Sequence, residues 1–365
     1  WKKLFEKKIN VPDDVEVTRY SLMLEDWHWG HYFLAGNSVF HQWKQFLVTN
    51  DRLVYWYLKF NYDMSDKIMI TGSRGFIGSA LTKYFDNPIE YDIALDRGMS
   101  VLNEHALSLF MDKVEPNIII HLAGNPFAPK SVEDPVYDMN LNIGGTLNLL
   151  EVCKNRKIDL LLFSSTAYVY GEPLDRPVAE DHKQFHMGTN TPYGISKTAC
   201  EAYCNYYSKK CGVPVTIMRF FNIYGPNQSL GLVVPDILDN IMKSKDGKVK
   251  LRGTDADSRD FLYVDDLADA ISKIVKKRIS GETINLGGKG NVKIIDLAKK
   301  IAEIAGKDIT FEVKKQSEAS KISSLHADIS KAEKLLDWSP KTSLEDGLKK
   351  VIESYKAKHK IWIYN

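Results

Sequence analysis

Tyr193 and Lys197 are two side chains able to move a proton, and they lie four residues apart in the sequence. On a helix, this spacing places the phenol and the ammonium on one face. Tyrosine has a pKa of ~10, so a tyrosine base working near pH ~7 requires roughly 4 kcal/mol of preferential stabilisation of its phenolate. A neighbouring ammonium supplies part of it. Tyr55–Lys59 and Tyr206–Lys210 share the spacing, so spacing alone does not select one pair.

The position of Thr166 selects Tyr193 among these candidates. A strand is predicted over residues 160–163, and Ser164 to Thr166 follow at its carboxyl end, where open α/β sheets bind ligands. We therefore expect the Thr166 hydroxyl to hold the substrate oxygen that Tyr193 deprotonates. Taken alone, the three side chains also fit a surface Tyr and Lys beside a cluster of capping hydroxyls.

Three glycines with G-x-x-G-x-x-G spacing form a second chemical motif, between a predicted strand at 68–71 and a predicted helix at Ile77–Phe85. In such a turn the first glycine adopts angles closed to other residues, the second lets the backbone approach a pyrophosphate, and the third lets helix and strand pack closely. The alternative is a purely structural turn. The motif predicts dinucleotide binding by Gly72, Arg74, Gly75, Phe76, Ile77 and Gly78.

An acidic pair, Glu90 and Asp92, follows about twenty residues after Gly72. A carboxylate at this place accepts hydrogen bonds from a ribose diol and repels a 2′-phosphate. Asp92 therefore favours NAD over NADP as the cofactor. Arg97 lies close enough in sequence to keep NADP as an alternative.

The elements that position these residues alternate regularly from about residue 64 onward. Short apolar runs alternate with amphipathic stretches, which is typical of βαβ units and predicts a doubly wound parallel α/β sheet, the Rossmann fold. Further strands are predicted at 117–121 and 214–218. Helices are predicted at 136–154, 192–210, 264–277 and 294–305, with a last helix capped by Thr342 and Glu345.

Composition excludes several functional classes. Lys and Arg number 49 against 47 acidic residues, so we expect no nucleic-acid partner. No apolar run is long enough for a membrane span and no secretory signal is present, which predicts a cytoplasmic protein without a membrane partner. Neither the four cysteines nor the histidines have metal-ligand spacing, so no metal site is expected.

From Lys67 to about Lys350 the chain resembles the extended short-chain dehydrogenase/reductase family, in its NAD-dependent epimerase/dehydratase branch, which includes the UDP-glucose 4-epimerases. The matching segments occur in the family's order: TGSRGFIG at 71–78, HLAG at 121–124, NIGGTLNLLE at 142–151, FSSTAYVYGE at 163–172, PYGISK at 192–197, RFFNIYGP at 219–226, RDFLYVDDLADA at 259–270 and ADISKAEKLLDWSPKTSLEDGL at 327–348.

The resemblance implies a role for each matched position. Tyr193 matches the general base, Lys197 the lysine that binds the nicotinamide ribose, and Thr166 the hydroxyl that orients the sugar. Asn222 and Arg259 match residues that bind the nucleotide-sugar diphosphate. Leu325 lies near the position that gates N-acetylated sugars. Cofactor-lining positions are matched by Leu122, Ala123 and Asn142.

The resemblance also implies the reaction. Hydride passes from sugar C4 to NAD while Tyr193 takes the O4 proton, which gives a 4-keto intermediate; an epimerase then returns the hydride to the other face. Dehydratases and decarboxylases of the family place acids after the Thr166 position, whereas Ala167 and Tyr168 stand here. We therefore expect a nucleotide-sugar 4-epimerase. A dehydratase, decarboxylase or reductase, and a catalytically silent NAD-binding scaffold, remain alternatives.

The family's architecture implies the domain organisation. Residues 64–225 and 258–290 are expected to form the NAD-binding domain, with a smaller, interleaved substrate domain from 226–257 and 291–350 and a tail at 351–365. Residues 1–63 are an aromatic-rich extension without a counterpart in the family. Family members dimerise through the helices matching 136–154 and 192–210, so a homodimer is expected. Ser100 replaces an aspartate that grips the adenine, and residues 316–326 lack a second diphosphate-binding arginine.

Overall fold

A computed structural model of the chain describes residues 66–173, 177–182, 191–252, 257–314 and 324–361, together with four strands among the first 65 residues. Trp1–Ser65 and Asp66–Asn365 are separate compact units. In the first unit, strands β1 (Val15–Leu24) and β2 (Trp27–Gly36) pair antiparallel, as do β3 (Leu47–Thr49) and β4 (Arg52–Val54). The residues of the predicted extension belong to this unit.

The second unit contains twelve strands among its described residues. They are β5 (Ile68–Thr71), β6 (Ile89–Tyr91), β7 (Ile118–His121), β8 (Leu160–Thr166), β9 (Val215–Phe220), β10 (Asn222–Tyr224), β11 (Lys248–Arg252), β12 (Ser258–Tyr263), β13 (Thr283–Leu286), β14 (Asn291–Lys293), β15 (Thr310–Lys314) and β16 (Ser324–Leu325).

Eleven α-helices accompany these strands in the described residues. They are α1 (Phe76–Leu81), α2 (Glu104–Val114), α3 (Ala128–Glu133), α4 (Pro135–Met139), α5 (Gly145–Cys153), α6 (Pro192–Cys211), α7 (Val233–Lys243), α8 (Val264–Lys277), α9 (Ile294–Ala305), α10 (Ser330–Leu336) and α11 (Leu344–Ile361).

Six parallel strands form the central sheet, in the order β13-β9-β8-β7-β5-β6. Its inner strands are continuous apolar runs because helices cover both faces. Since side chains alternate along a strand, Ile118 and Ile120 pack on one face with α8, while Ile119 packs on the other with α5 and α6. The predicted doubly wound Rossmann fold is confirmed.

The strand order reverses between β5 and β7. After β5 the chain adds β6 on one side, and it then crosses back to place β7 on the other side. Loops leaving two such neighbouring strands diverge and open a crevice at the carboxyl ends, where open α/β sheets bind ligands. Thr71 ends β5 and His121 ends β7, so the predicted glycine turn starts at this crevice.

Strands outside the central sheet form the smaller part of the second unit. β12 pairs with β10, β14 and β16, and β11 pairs in parallel with β15. The apolar sides of α7, α9 and α11 pack into one core beside these strands, through residues such as Ile237, Leu297 and Leu348. These elements form a smaller, interleaved part of the second unit.

Three predicted helices differ from the structure. The helix predicted over Ile77–Phe85 ends at Leu81. The helix predicted over residues 136–154 is α4 and α5 joined by a π-helical turn, Asn140–Gly144. The last helix is capped one residue later than predicted, because the Ser343 hydroxyl, and not Thr342, accepts from the Asp346 amide at 3.1 Å. That helix continues to Ile361, into the segment expected as a tail.

Candidate active site

The glycine turn after β5 is closed by contacts that exclude side chains. Gly72 has a φ of +71°, and a Cβ added there would lie 2.8 Å from the Ala123 nitrogen. A Cβ on Gly78 would lie 2.2 Å from the Gly72 oxygen, while the Gly75 amide donates to that oxygen at 3.1 Å. Gly72 and Gly78 are therefore required by the backbone path, whereas a Cβ on Gly75 would meet only the Gly72 oxygen, at 3.2 Å. The turn lies directly over Ala123 of the next strand's loop.

Phe76 and Ile77 turn their side chains away from this crevice. Phe76 packs against the core of the smaller part, where it would lie 3.3 Å from a Cβ on Gly225. Ile77 packs against the core on one face of the central sheet. What these two residues can offer a dinucleotide is consequently their backbone and not their side chains.

Arg74 and Asp92 meet at the outer end of the turn. The Arg74 amide donates to Asp92 Oδ2 at 2.9 Å, and the Ala94 amide donates to Asp92 Oδ1 at 2.8 Å. These bonds fix a carboxylate at the end of β6. The Arg74 guanidinium pairs with Glu90 through two contacts of 2.9 Å each.

A buried histidine supports the loop that carries Leu122 and Ala123. His121 Nδ1 lies 2.7 Å from Thr71 Oγ1, and Nε2 lies 3.2 Å from Thr146 Oγ1. Burial, and then the charge of Lys197, lower the pKa of His121 to about 3, so the ring is neutral at physiological pH. Leu122 donates its amide to the Thr71 carbonyl at 3.1 Å, which aligns both predicted cofactor positions with the glycine turn.

Asn142 lies in the π-helical turn at the centre of a buried network. Its Oδ1 accepts from the Asn125 amide at 2.8 Å, and its Nδ2 donates to Asp138 Oδ1 and Ser196 Oγ, each at 3.0 Å. Asn125 also donates to Asp138, at 2.8 Å. The sequence analysis did not identify Asn125, Asp138 or Ser196. The available signal was position in the sequence, because Asn125 directly follows the HLAG segment and Ser196 lies within PYGISK.

Tyr193 lies close to Thr166. Helix α6 begins at Pro192, and its cap Thr191 accepts from the Gly194 amide at 3.1 Å, which places Tyr193 in the first turn. Burial raises the pKa of the Tyr193 phenol, and its interaction with the Thr166 side chain acts in the opposite direction.

Lys197 lies one helical turn further along α6 and points back to β8. Its Nζ donates to the Ser164 carbonyl at 2.9 Å and lies 4.9 Å from the centre of the Phe163 ring. A Cβ on Gly124 would come within 3.7 Å of this nitrogen, so the ammonium also borders the cofactor loop. Burial lowers the pKa of Lys197.

A buried ion pair underlies this edge of the sheet and was missed from the sequence. Arg219 on β9 donates to Glu201 on α6 through Nε at 3.0 Å and Nη2 at 2.8 Å. Glu201 also accepts from the Ser165 hydroxyl, between the residues that hold Lys197 and Tyr193. Arg219 Nη1 donates to the Tyr170 hydroxyl at 2.8 Å.

The three predicted substrate residues gather along β12. Arg259 on β12 pairs in register with Leu325 on β16, and Asn222 on β10 donates to the Asp260 carbonyl at 3.0 Å. Leu325 is buried in one apolar cluster with Ala167, the residue after Thr166. The substrate residues and Thr166 therefore border one region.

Asp260 connects three segments of this region through hydrogen bonds. Its carboxylate accepts from the Gly288 amide and from the Ala327 amide, the latter at 3.0 Å. Burial raises the pKa of Asp260 to about 6, although both hydrogen bonds act to lower it. β12, the loop after β13 and the chain after β16 are thus joined through one side chain.

The pattern of the NAD dependent epimerase/dehydratase family matches residues 68–287. The chain belongs to this family. UDP-glucuronic acid decarboxylase 1 of Arabidopsis thaliana is 30% identical over 309 residues, which are 80% of this chain and 70% of that protein.

Two solved structures have the same fold. UDP-glucose 4-epimerase from Thermotoga maritima with UDP-glucose is 28% identical, with a TM-score of 0.73 over 80% of this chain and 99% of that one. UDP-glucuronic acid 4-epimerase from Bacillus cereus, in complex with UDP-glucuronic acid and NAD, is 31% identical, with a TM-score of 0.71 and the same coverage.

This chain is therefore an enzyme of the epimerase/dehydratase family, and the predicted cofactor NAD is confirmed. The residues present fit that cofactor: the turn at Gly72 leaves no room for a Cβ, and Asp92 ends the neighbouring strand with a carboxylate. In the part of the chain that the structure describes, no cluster of His, Cys, Asp and Glu could hold a metal, and no helix is long and apolar enough to span a membrane.

Proposed function

We propose that the protein is an NAD-dependent nucleotide-sugar 4-epimerase that acts on UDP-glucose and UDP-galactose or their N-acetylated analogues. The observation that carries the proposal is the convergence of Tyr193 and Thr166 at the end of β8. Lys197 is anchored at the same end and borders Gly124, in the loop of Leu122 to Gly124 that we call the cofactor loop. The named activities of similar proteins support a UDP-sugar as the substrate.

Tyr193 is the proposed acid and base. Its phenol interacts with the Thr166 side chain, so a sugar hydroxyl placed between them can give its proton to Tyr193 while Thr166 holds its oxygen. NAD, when bound, accepts a hydride from the sugar carbon and returns it. Tyr193 then returns the proton to the sugar oxygen, and the sugar leaves with unchanged mass.

Lys197 is proposed to hold the cofactor's ribose and to favour the phenolate. Its ammonium borders Gly124 in the cofactor loop and is anchored on the Ser164 carbonyl. Because burial raises the pKa of Tyr193, proton transfer at neutral pH requires positive charge near the phenol. The anchored Lys197 ammonium would provide part of it, and bound NAD would add the positive charge of its nicotinamide ring.

The diphosphate and the sugar are proposed to lie along β12. Arg259 has a planar guanidinium that suits phosphate oxygens, and Asn222 is held beside it through the Asp260 carbonyl. Leu325 is proposed to border the sugar, where a side chain smaller than tyrosine leaves room for an acetamido group. The predicted division into an NAD-binding and a substrate domain, and the cytoplasmic location, belong to this proposal.

The residues after Thr166 favour epimerisation over the sister reactions. Ala167 is buried, and the Tyr168 ring packs edge-on against the Tyr193 ring, with centroids 5.7 Å apart. Neither side chain is an acid that could assist the loss of water in a dehydratase or the reaction of the keto acid in a decarboxylase. A dehydratase, decarboxylase or reductase remains the second candidate because decarboxylases also resemble this chain. A silent scaffold is disfavoured by the complete proton-transfer set.

A homodimer is proposed through α4 and α6. Large apolar side chains on these helices are exposed, which is typical of an interaction face. They are Val136, Tyr137, Met139, Ile195, Tyr203 and Tyr206, each between 41% and 62% accessible. Sedimentation of the full chain at micromolar concentration tests this, and a monomer would contradict it.

The first experiment incubates the protein with NAD and a panel of UDP-, dTDP-, GDP- and CDP-sugars and separates the products by chromatography with mass detection. We expect one pair of sugars to interconvert at unchanged mass. The Tyr193→Phe variant should lose this activity, whereas Tyr206→Phe, at an exposed tyrosine of the same helix, should keep it. Loss of water or carbon dioxide would identify a sister activity, and equal activity of Tyr193→Phe would refute its role as the base.

A further inference from the structure

Arg74 and Glu90 form an ion pair at the edge where the adenosine ribose is expected. The Arg74 guanidinium presents Nη2 and Nε to the two carboxylate oxygens of Glu90, each at 2.9 Å. This forked arrangement is the strongest geometry for such a pair. About half of the Arg74 side chain is accessible, so the pair lies at the mouth of the crevice and not in the core.

The same arginine lies beside the carboxylate that favours NAD. Its own amide donates to Asp92 Oδ2 at 2.9 Å. Glu90 lies in the edge strand β6, two residues before Asp92, which directly follows that strand. In dinucleotide enzymes, an arginine near this carboxylate is what accommodates the 2′-phosphate of NADP. Arg74 therefore has the chemistry to bind that phosphate and stands where it could do so.

We propose that Glu90 enforces the choice of NAD by occupying the guanidinium of Arg74. Glu90 engages the Nε and Nη2 edge of the guanidinium and offsets its charge, so that only the edge that includes Nη1 is left for a 2′-phosphate. The Glu90 charge also adds to the repulsion from Asp92. Glu90 is thus a positioning residue that acts through Arg74. The inference rests on the proposed binding roles of Arg74 and Asp92, and not on the sugar reaction that follows.

The proposal explains how an arginine can stand in an NAD-binding turn without conferring NADP binding. Arg97 also follows Asp92 in the sequence and lies exposed in the turn after it. A test must therefore separate the two arginines, because freeing either one could improve binding of the phosphate.

The experiment measures the dissociation constants of NAD and NADP for the full-length protein by calorimetric titration. For Glu90→Gln we expect the preference for NAD over NADP to fall about tenfold or more, because a charge-assisted hydrogen bond to phosphate becomes available. The dissociation constant of NAD should stay within about threefold. Glu90→Gln combined with Arg74→Ala should restore the original preference, whereas its combination with Arg97→Ala should not.

Glu345→Gln is the matched control. It also removes one negative charge and breaks an exposed ion pair, with Lys349 at 2.8 Å on α11, so it reproduces the change in net charge without the local contact. Its ratio of the two dissociation constants should equal that of the wild type.

Three outcomes would overturn the proposal. An unchanged ratio in Glu90→Gln would show that the pair does not discriminate. If the improved NADP binding of Glu90→Gln persisted when Arg74→Ala was added, the phosphate would bind elsewhere. If the improvement were lost only when Arg97→Ala was added, Arg97 would be the residue that binds the phosphate. If the wild type bound neither dinucleotide, the proposed cofactor site would fail as well; NAD binding with an unchanged ratio would refute this inference alone.

Discussion

Two regions of the molecule are built in different ways: the carboxyl end of β8, which helix α6 faces with Tyr193 and Lys197, and strand β12, which contains Arg259. Tyr193 and Lys197 share the first turns of one helix, and both are held by residues at the end of β8. Arg259 lies on a strand that pairs with three others, from segments as distant in sequence as β10 and β16.

This difference separates two kinds of function. The proposed catalytic edge depends on a few contacts between two adjacent elements, so a change there should remove turnover while the substrate still binds. The β12 region depends on segments assembled from across the chain, so a change there should alter affinity while turnover persists. Each of the following predictions tests one side of this division.

The largest effect is expected at Lys197. Lys197→Met keeps the volume of the buried side chain but removes the ammonium that contacts the Ser164 carbonyl. We expect kcat to fall about 1000-fold at saturating sugar, within the range for positioned proton-transfer groups. Lys210→Met, at an exposed lysine with the same spacing from a tyrosine, should leave kcat unchanged. A Lys197→Met enzyme that retained a tenth of the wild-type rate would contradict the assignment.

Breaking the ion pair below this edge should affect stability next most strongly. Glu201→Gln leaves Arg219 buried without its counter-charge, which costs about 3 to 5 kcal/mol of the free energy of unfolding. Urea denaturation measures the loss. Replacing both partners, as Glu201→Leu with Arg219→Met, should recover most of it. Equal free energies of unfolding for Glu201→Gln and the wild type would contradict this prediction, because they would show that Arg219 does not depend on the Glu201 charge.

At β12 we expect an effect on affinity. Arg259→Ala should raise KM for the nucleotide sugar about 30-fold, equivalent to about 2 kcal/mol, because one charged contact to the diphosphate is lost. Its kcat should stay within about threefold. Lys293→Ala, at an exposed lysine on the paired strand β14, is the control and should match the wild type. A fall in kcat equal to the change in kcat/KM would place Arg259 on the catalytic side of the division.

The last prediction concerns the pH dependence of stability that His121 causes. Its pKa is about 3 in the folded protein and 6.5 otherwise, so between these values the unfolded chain binds one more proton. Stability due to His121 is therefore gained as pH rises from about 3 to 6.5, at about 1.4 kcal/mol per pH unit. Urea titrations should show the difference between wild type and His121→Asn growing at this rate. A constant difference would indicate that His121 is not buried in its neutral form.

The comparison of Tyr193 with Glu201 shows how much of the site could be predicted. Tyr193, Lys197 and Thr166 stand at fixed offsets inside continuous segments, and the strands that carry the turns are continuous apolar runs, so periodicity locates them. Glu201 is a charged residue on a helix, and only the folded structure shows that Arg219 lies opposite it. The ion pair joins two separate elements, β9 and α6, so no local sequence pattern predicts it.

The network around Asn142 gives a second example. The sequence predicted one helix over residues 136–154, because a π-helical turn changes the apolar period by too little to register. That turn contains Asn142 and brings its side chain to Asp138 and Ser196. Phe76 is a third case, since its type suits a cofactor pocket, but its direction depends on a core formed by distant helices.

The pairing of Arg259 with Leu325 also sets an order of events during protein synthesis. A nascent chain that ends after Leu286 already contains every strand of the central sheet, whereas β16 and the Ala327 amide that binds Asp260 are translated later. Because domains tend to fold as units while they emerge from the ribosome, the reactive edge can assemble before the strand that would bind the sugar is complete.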